Sequence, residues 1–253
     1  MPGPIQSIQR ASAVLDLLEH SPRPLLLREI VDELGLPKTT VHGILRTLVE
    51  LQYVDHDEAG AAYVLGARRH GGAAGLDGNV LRSAAMGWCD TLASILEVQV
   101  WLAVLDGDAA QAVHHVFRPD DSPQRLRVGE RLPLHATSSG KLLLSYSPNR
   151  DRLLRNMILE SFTTDTILSR QQLADEVATV RATGHAASSG EYEPGIASVA
   201  VAVHGPRPGA TGALAVGGAP GVLFRTGREP RSQVLSEIRR CASAIARELR
   251  DTR

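Results

Sequence analysis

Leu36-Pro37-Lys38-Thr39-Thr40-Val41-His42-Gly43-Ile44-Leu45-Arg46-Thr47-Leu48 carries apolar side chains at Val41, Ile44, Leu45 and Leu48, the recurrence of one helix face. Pro37 can open such a helix, because the first turn has no use for the N–H that proline lacks. Immediately upstream, Leu27, Ile30, Val31 and Leu34 repeat the pattern, and Gly35 suits a left-handed helix cap. Two short helices thus flank a tight turn. A first helix with Ile8, Ala11, Leu15 and Leu18 on one side ends near His20, ahead of Pro22 and Pro24. Downstream, Tyr53-Val54 and Tyr63-Val64-Leu65 are strand-like around a polar Asp57-Glu58-Ala59-Gly60 turn. Helix, helix-turn-helix, hairpin is the order of a winged helix-turn-helix.

With the stripe inward, Thr39, Thr40, Gly43, Arg46 and Thr47 face outward and His42 lies at the edge. Hydroxyls at a helix start bind phosphates and base edges, and an arginine one turn on can fork onto guanine. Residues 1–66 nevertheless hold five Lys or Arg against nine acids, an odd balance for a DNA binder. The acids must therefore lie off the groove. Arg10, Arg28, Lys38 and Arg46 are left as the working cations, with Arg28 near the start of helix two placed for a phosphate. The competing view is a protein-interaction module with a merely solvated polar face.

Whole-chain numbers neither add to nor remove this. A net charge of −1 over 253 residues advertises no polyanionic partner, so any nucleic-acid surface is local. Cys89 and Cys241 stand too far apart for a disulfide framework or a zinc module. The start of the chain lacks a long apolar core, and no stretch reaches the ~18 apolar residues of a membrane span. A cytoplasmic protein without a cofactor is expected.

Gly66 to Asn79 contains five glycines and marks a linker. Leu81, Ala84, Ala85, Trp88, Leu92 and Ile95 then describe a long amphipathic helix. Strand-like runs follow at 98–105, 111–116, 197–203 and 212–216, with helical patterns between them and from Pro230 to Leu249. The expectation is an α+β chain: a head over 1–66, a linker and connecting helix over 67–96, and a domain over 97–253 with helices on an antiparallel sheet.

Four stretches together resemble the IclR family over nearly the whole chain. They are Ser7-Ile8-Gln9-Arg10-Ala11, the run from Leu36 to His42, Tyr63-Val64-Leu65-Gly66, and Gly129-Glu130-Arg131-Leu132-Pro133-Leu134-His135-Ala136-Thr137-Ser138-Ser139-Gly140-Lys141. The resemblance implies a winged helix-turn-helix joined to a GAF-like α/β effector-binding domain. It also implies homodimers through helix one or homotetramers through the sensing domains, and repression or activation of catabolic genes. His42 to Leu48 and His114-His115-Val116-Phe117-Arg118-Pro119-Asp120-Asp121 are similar to its glycerol-operon regulator branch. Two features depart from the family. Gly43 stands where arginine is usual, at a helical cost of about 1 kcal/mol against alanine that either admits a DNA backbone or is tolerated. The glycine-rich stretch 71–78 replaces a continuous linker helix.

Ser139-Gly140-Lys141 has the look of a phosphate loop, but His135 stands where its first glycine belongs and Leu142 where a magnesium-binding hydroxyl belongs. What survives is an anion-friendly helix start at Thr137, Ser138 and Ser139. The resemblance implies an effector pocket of Leu134, Thr137, Ser138, Ser139, Ser188, Ser198, Ala215 and Gly217. Relatives that bind small organic acids carry an acid, a cysteine and two serines where this chain has the last four, so a roomier, less acidic pocket is expected. A polyol phosphate, or else a small organic acid, follows as effector. Small residues packing a sheet closely is the plain alternative for the serines. His114, His115, His135, His185 and His204 lack metal-ligand spacing. Asp108, Glu191 and Glu193 could be drawn as catalytic carboxylates, but Glu191-Tyr192-Glu193-Pro194-Gly195 matches the family's acidic loop and no nucleophile elbow accompanies it. The function expected is a sequence-specific regulator, more a repressor than an activator. The alternative is an enzyme whose first domain serves dimerisation.

Overall fold

The computed structural model describes residues 6–21, 23–51, 53–57, 62–66, 78–120, 124–206 and 209–251. The chain forms two compact units, 1–71 and 72–253.

The first unit is built from α1 (Gln6–His20), β1 (Leu25–Leu26), α2 (Leu27–Leu34), α3 (Lys38–Glu50), β2 (Val54–Asp57) and β3 (Ala62–Leu65). Gly35 ends α2 at φ 59°, its N–H donating to the Val31 carbonyl, the left-handed cap that glycine adopts without strain. Pro37 caps α3, and its carbonyl accepts from the Thr40 and Val41 amides. Val14, Leu18, Ile30, Val41, Leu45 and Leu48 close the core. Val14, outside the expected stripe, is fully buried, whereas Ile8 is 64% exposed and Ile44 is half-buried. Leu25-Leu26 adds a strand too short to be read in sequence; it pairs with Tyr63 and Ala62 to give the sheet order β1-β3-β2. Asp57 belongs to β2, opposite Ala62, and not to the turn. Turn residues 58–60 lie outside the described residues.

The second unit comprises α4 (Gly78–Leu96), β4 (Gln99–Asp106), β5 (Ala109–Val116), β6 (Arg131–Pro133), α5 (Ser138–Tyr146), α6 (Arg150–Asn156), α7 (Arg170–Thr183), β7 (His185–Ser189), β8 (Ala197–Val203), β9 (Gly212–Gly218), α8 (Pro220–Leu223), β10 (Phe224–Thr226), β11 (Glu229–Pro230) and α9 (Ser232–Asp251). Six of the strands make an antiparallel sheet in the order β6-β5-β4-β9-β8-β7. Period-two alternation sorts its side chains. Val100, Leu102, Val199, Val201, Leu214 and Val216 pack under α4 and α9. The opposite face is Trp101 with Ala103, Ala186, Ala200, Ala213 and Ala215, under α5 and α7.

The four expected strands are present. The two missed ones are weak in sequence: β6 has three residues, and His-Ala-Ala-Ser-Ser of β7 contains no β-branched or large aromatic side chain. Helix α9 begins after Pro230, which pairs with Phe224 in a small ribbon. Ile95 is 43% exposed and does not join the α4 stripe. Of the glycine-rich linker, residues 67–77 lie outside the described residues, while Gly78 and Asn79 open α4.

Candidate nucleic-acid interface and effector cavity

Helix α3 presents Lys38, Thr39, His42 and Arg46 to solvent, with Thr40 and Gly43 half-buried; Arg28 is exposed and Arg10 half-buried. The Arg46 side chain is 73% exposed and its Nε lies 3.8 Å from Glu50 Oε1. An exposed pair of this kind contributes well under about 1 kcal/mol, so a phosphate or base edge can take the guanidinium over. The Thr47 hydroxyl instead donates to the Gly43 carbonyl at 3.1 Å and is committed inside the helix. A Cβ on Gly43 would meet nothing within 4 Å, so packing inside the head does not require glycine there.

The acidic excess of the head is partly matched within it. Arg23 clasps Glu29 with bonds of 2.8 and 3.1 Å, and Glu29 also accepts the Leu26 amide. The bond to Arg23, then the one from Leu26, holds the Glu29 carboxyl down at about 2. Helix α3 carries one acid, Glu50, at its last position. Its first turns therefore offer hydroxyls, an imidazole and cations with no carboxylate among them.

In the second unit a cavity of about 30 Å³ is lined by Trp101, Arg127, Thr137, Ser188, Tyr192 and Ser198, among others; that is room for roughly two water positions. The expected roominess is corrected. A Cβ on Gly217 would sit 2.5 Å from the Trp101 ring, so the indole fills the space that the glycine frees. Of the expected effector residues, Thr137, Ser188 and Ser198 line the cavity. Leu134 and Ala215 lie in the apolar core with Trp101, and Ser139 accepts the Trp101 indole N–H at 3.1 Å. Ser138 Oγ is buried without a partner among the described residues. The anion-friendly helix start is largely spent: Thr137 Oγ1 accepts from Gly140 N and donates to the Pro133 carbonyl, and Ser188 Oγ donates to the Ala136 carbonyl.

Sequence reasoning missed Arg127. Its side chain is 8% exposed, donates to Glu130 at 3.2 Å and Glu193 at 2.7 Å, and stands 5.6 Å from the Trp101 ring centre. Burial works against its charge, but the bonds to Glu193 and Glu130 outweigh that and raise the guanidinium above its ordinary range. Exposed Leu126 and Val128 flank it, so the segment turns its arginine inward and its apolar neighbours out. The sequence carried no signal for it, because hydrophobicity in Leu126-Arg127-Val128 points the other way.

The Gly-Lys pair has a structural meaning. A Cβ on Gly140 would come within 2.6 Å of the Leu134 backbone, so only glycine lets α5 start there. Lys141 is fully buried, and its ammonium is committed to Glu191 at 2.7 Å and Glu176 at 2.8 Å. Glu191 also contacts Arg228 at 3.2 Å; burial pushes its carboxyl up against the pull of Lys141 and Arg228. Asp108 pairs with Arg131. The three carboxylates that could be imagined as catalytic are thus all ion-paired. Among the described residues no His, Cys, Asp and Glu cluster could hold a metal, and no helix is long and apolar enough to cross a membrane.

Residues 7–58 match the IclR helix-turn-helix domain and residues 73–247 the bacterial transcriptional regulator IclR C-terminal domain. A glycerol operon regulatory protein of Streptomyces coelicolor is 40% identical over 246 residues, covering 97% of this chain and 96% of the relative. One of Streptomyces griseus is 38% identical with the same coverage. The crystal structure of an IclR homolog from Microbacterium hydrocarbonoxydans, complexed with 4-hydroxybenzoate, superposes with a TM-score of 0.61 at 21% identity, covering 97% of this chain and 100% of that one.

Proposed function

The chain belongs to the IclR family of transcriptional regulators, and on that premise we propose that it is a cytoplasmic repressor of a glycerol-catabolic operon, released or tightened by a polyol phosphate or small organic acid. The carrying observation is the pairing of an α3 that is acid-free before its last residue, exposed at Lys38, Thr39, His42 and Arg46, with a separate domain that holds a small cavity lined by a buried arginine. The names of the two Streptomyces relatives support a glycerol-linked operon. Since the relatives are named as regulators, the alternative of an enzyme is set aside.

In this account Lys38, Thr39, Thr40, His42 and Arg46 meet the major groove of double-stranded operator DNA, with Arg10 and Arg28 on phosphates and Gly43 permitting close approach. Two heads act together on a palindromic site. Ile8, 64% exposed on α1, is available for pairing the heads. Effector binding in the domain over 97–253 changes how the heads are presented, through the segment 67–96.

The test is fluorescence anisotropy on DNA from the chain's own promoter region at stated salt, wild type against Arg46→Ala. Losing a base or phosphate contact of this kind costs about 1–3 kcal/mol of affinity, while circular dichroism should be unchanged because Arg46 has no buried partner. Equal affinity for both proteins would remove Arg46 from the interface.

A further inference from the structure

We propose that Arg127 receives the anionic group of the effector and that the effector binds by displacing Glu193; the proposal rests on the sensing role given above. Arg127 is anchored: it is 8% exposed, beside the Trp101 indole, and its Nε is buried with no partner among the described residues. Its two carboxylate partners differ. Glu130 is 10% exposed, and its other oxygen accepts from the Tyr192 hydroxyl at 3.3 Å. Glu193 is 34% exposed, and Pro194 and Gly195 after it are exposed. Released from Arg127, Glu193 returns to water at little cost, whereas a released Arg127 has no water to reach.

The backbone around Glu193 is suited to that exchange. Gly190 and Gly195 bracket it at φ 68° and 74°, conformations open to glycine and costly for other residues. Glu191 is fully buried on Lys141, so the segment is pinned at one end and its movement is confined to the residues after it. The cavity of about 30 Å³ is too small for more than roughly two waters, and Glu193 is one of its walls. Its departure frees the guanidinium and enlarges the space in one step.

The ligand class follows from charge. Glu130 is shared by Arg127 and by the exposed Arg125, 3.7 Å away, so the cluster holds two carboxylates and two guanidiniums; an anion that replaces Glu193 on Arg127 keeps that balance, and one added beside both carboxylates does not. A cation would have to settle on the two acids next to an arginine that cannot withdraw. Ser198 lines the cavity, and its hydroxyl can meet a hydroxyl of the ligand body. The occupant is therefore a small hydroxylated molecule with one carboxylate or phosphate.

Full-length protein carrying Trp88→Phe, which leaves Trp101 as the reporter, is titrated with glycerol 3-phosphate, glycerate and glycerol while tryptophan emission is followed. At least one of the two anions should bind at least about tenfold more tightly than glycerol, and their ranking tells phosphate from carboxylate. Arg127→Gln should lose that preference. Glu193→Gln, whose amide oxygen can still accept from Arg127, should tighten anion binding several-fold by removing the internal competitor's charge. Glycerol binding as well as the anions, silence of both anions up to the order of 10 mM, or Glu193→Gln leaving affinity unchanged or weakened would each overturn the proposal. Operator binding by the same protein separates the two levels: retained with a failed anion result, it leaves the regulator standing without this site, and its absence would count against the regulator itself.

Discussion

On α3 the Arg46 side chain is 73% exposed beside an equally exposed Glu50 at 3.8 Å; in the second unit Arg127 is 8% exposed, clasped by two carboxylates beside an indole. The first arginine costs the fold nothing to hold and is free for a partner from outside. The second is stabilised by the protein's own acids, so a ligand must replace one of them. A surface built for DNA can be composed of independent side chains, each removable without harm to the rest. A cavity built for a small molecule is a set of mutual obligations, and stability and recognition are written in the same residues.

Substitutions can break that contrast. The largest effect is expected from Lys141→Met, which leaves Glu191 buried without its cation. Uncompensated buried charges cost about 3–5 kcal/mol, so calorimetry should show the transition of the second unit falling by many degrees with that of the head unmoved. A small shift would mean that Arg228 alone satisfies Glu191. Next comes Gly217→Val. It drives a methyl group into the Trp101 ring, an overpacking cost of about 1–3 kcal/mol, and should blunt the response to effector while operator affinity survives. An unaltered effector response would detach Trp101 from the site.

Acid should also act on the sensing unit more than on the head. Burial, with help from Arg127, pushes His115 down to about 4 from 6.5, and His114, His135 and His185 are lowered in the same sense, chiefly by burial. A base lowered by folding takes its proton first in the unfolded chain. The stability it contributes is therefore whole above about pH 6.5 and is lost as pH falls toward 4. His115→Phe should flatten part of that decline in melting temperature between the two pH values; an identical decline would show that other groups dominate. The smallest effect is Gly43→Ala, which should stabilise the head by about 1 kcal/mol, since its Cβ meets nothing. Any accompanying drop in operator affinity would show that glycine serves DNA approach and not the fold.

The same contrast explains what the sequence made legible. Val41, Leu45 and Leu48 recur at helical spacing, so their inward turn fixed which residues of α3 face outward, and the loop around Gly35 confirmed the break. Nothing comparable announced Arg127. Its partner Glu193 is 66 positions away, and its apolar neighbours Leu126 and Val128 face solvent. Lys141 was visible as part of a Gly-Lys pair, but its meaning depended on Glu191, 50 positions on. Gly217 reads as added room in the sequence because the indole that fills it comes from another strand, paired two places off at Ala215. Periodicity reports which side of an element is buried; it is blind to which distant side chain waits there.

The most direct test of the account is anisotropy of the full chain on its own promoter DNA at fixed salt, with and without glycerol 3-phosphate. Specific binding that falls or rises at least about tenfold when the ligand is added, and that ceases to respond in Arg127→Gln, is the predicted result. Specific binding indifferent to glycerol 3-phosphate, glycerate and glycerol alike would contradict a ligand-gated regulator built on this cavity.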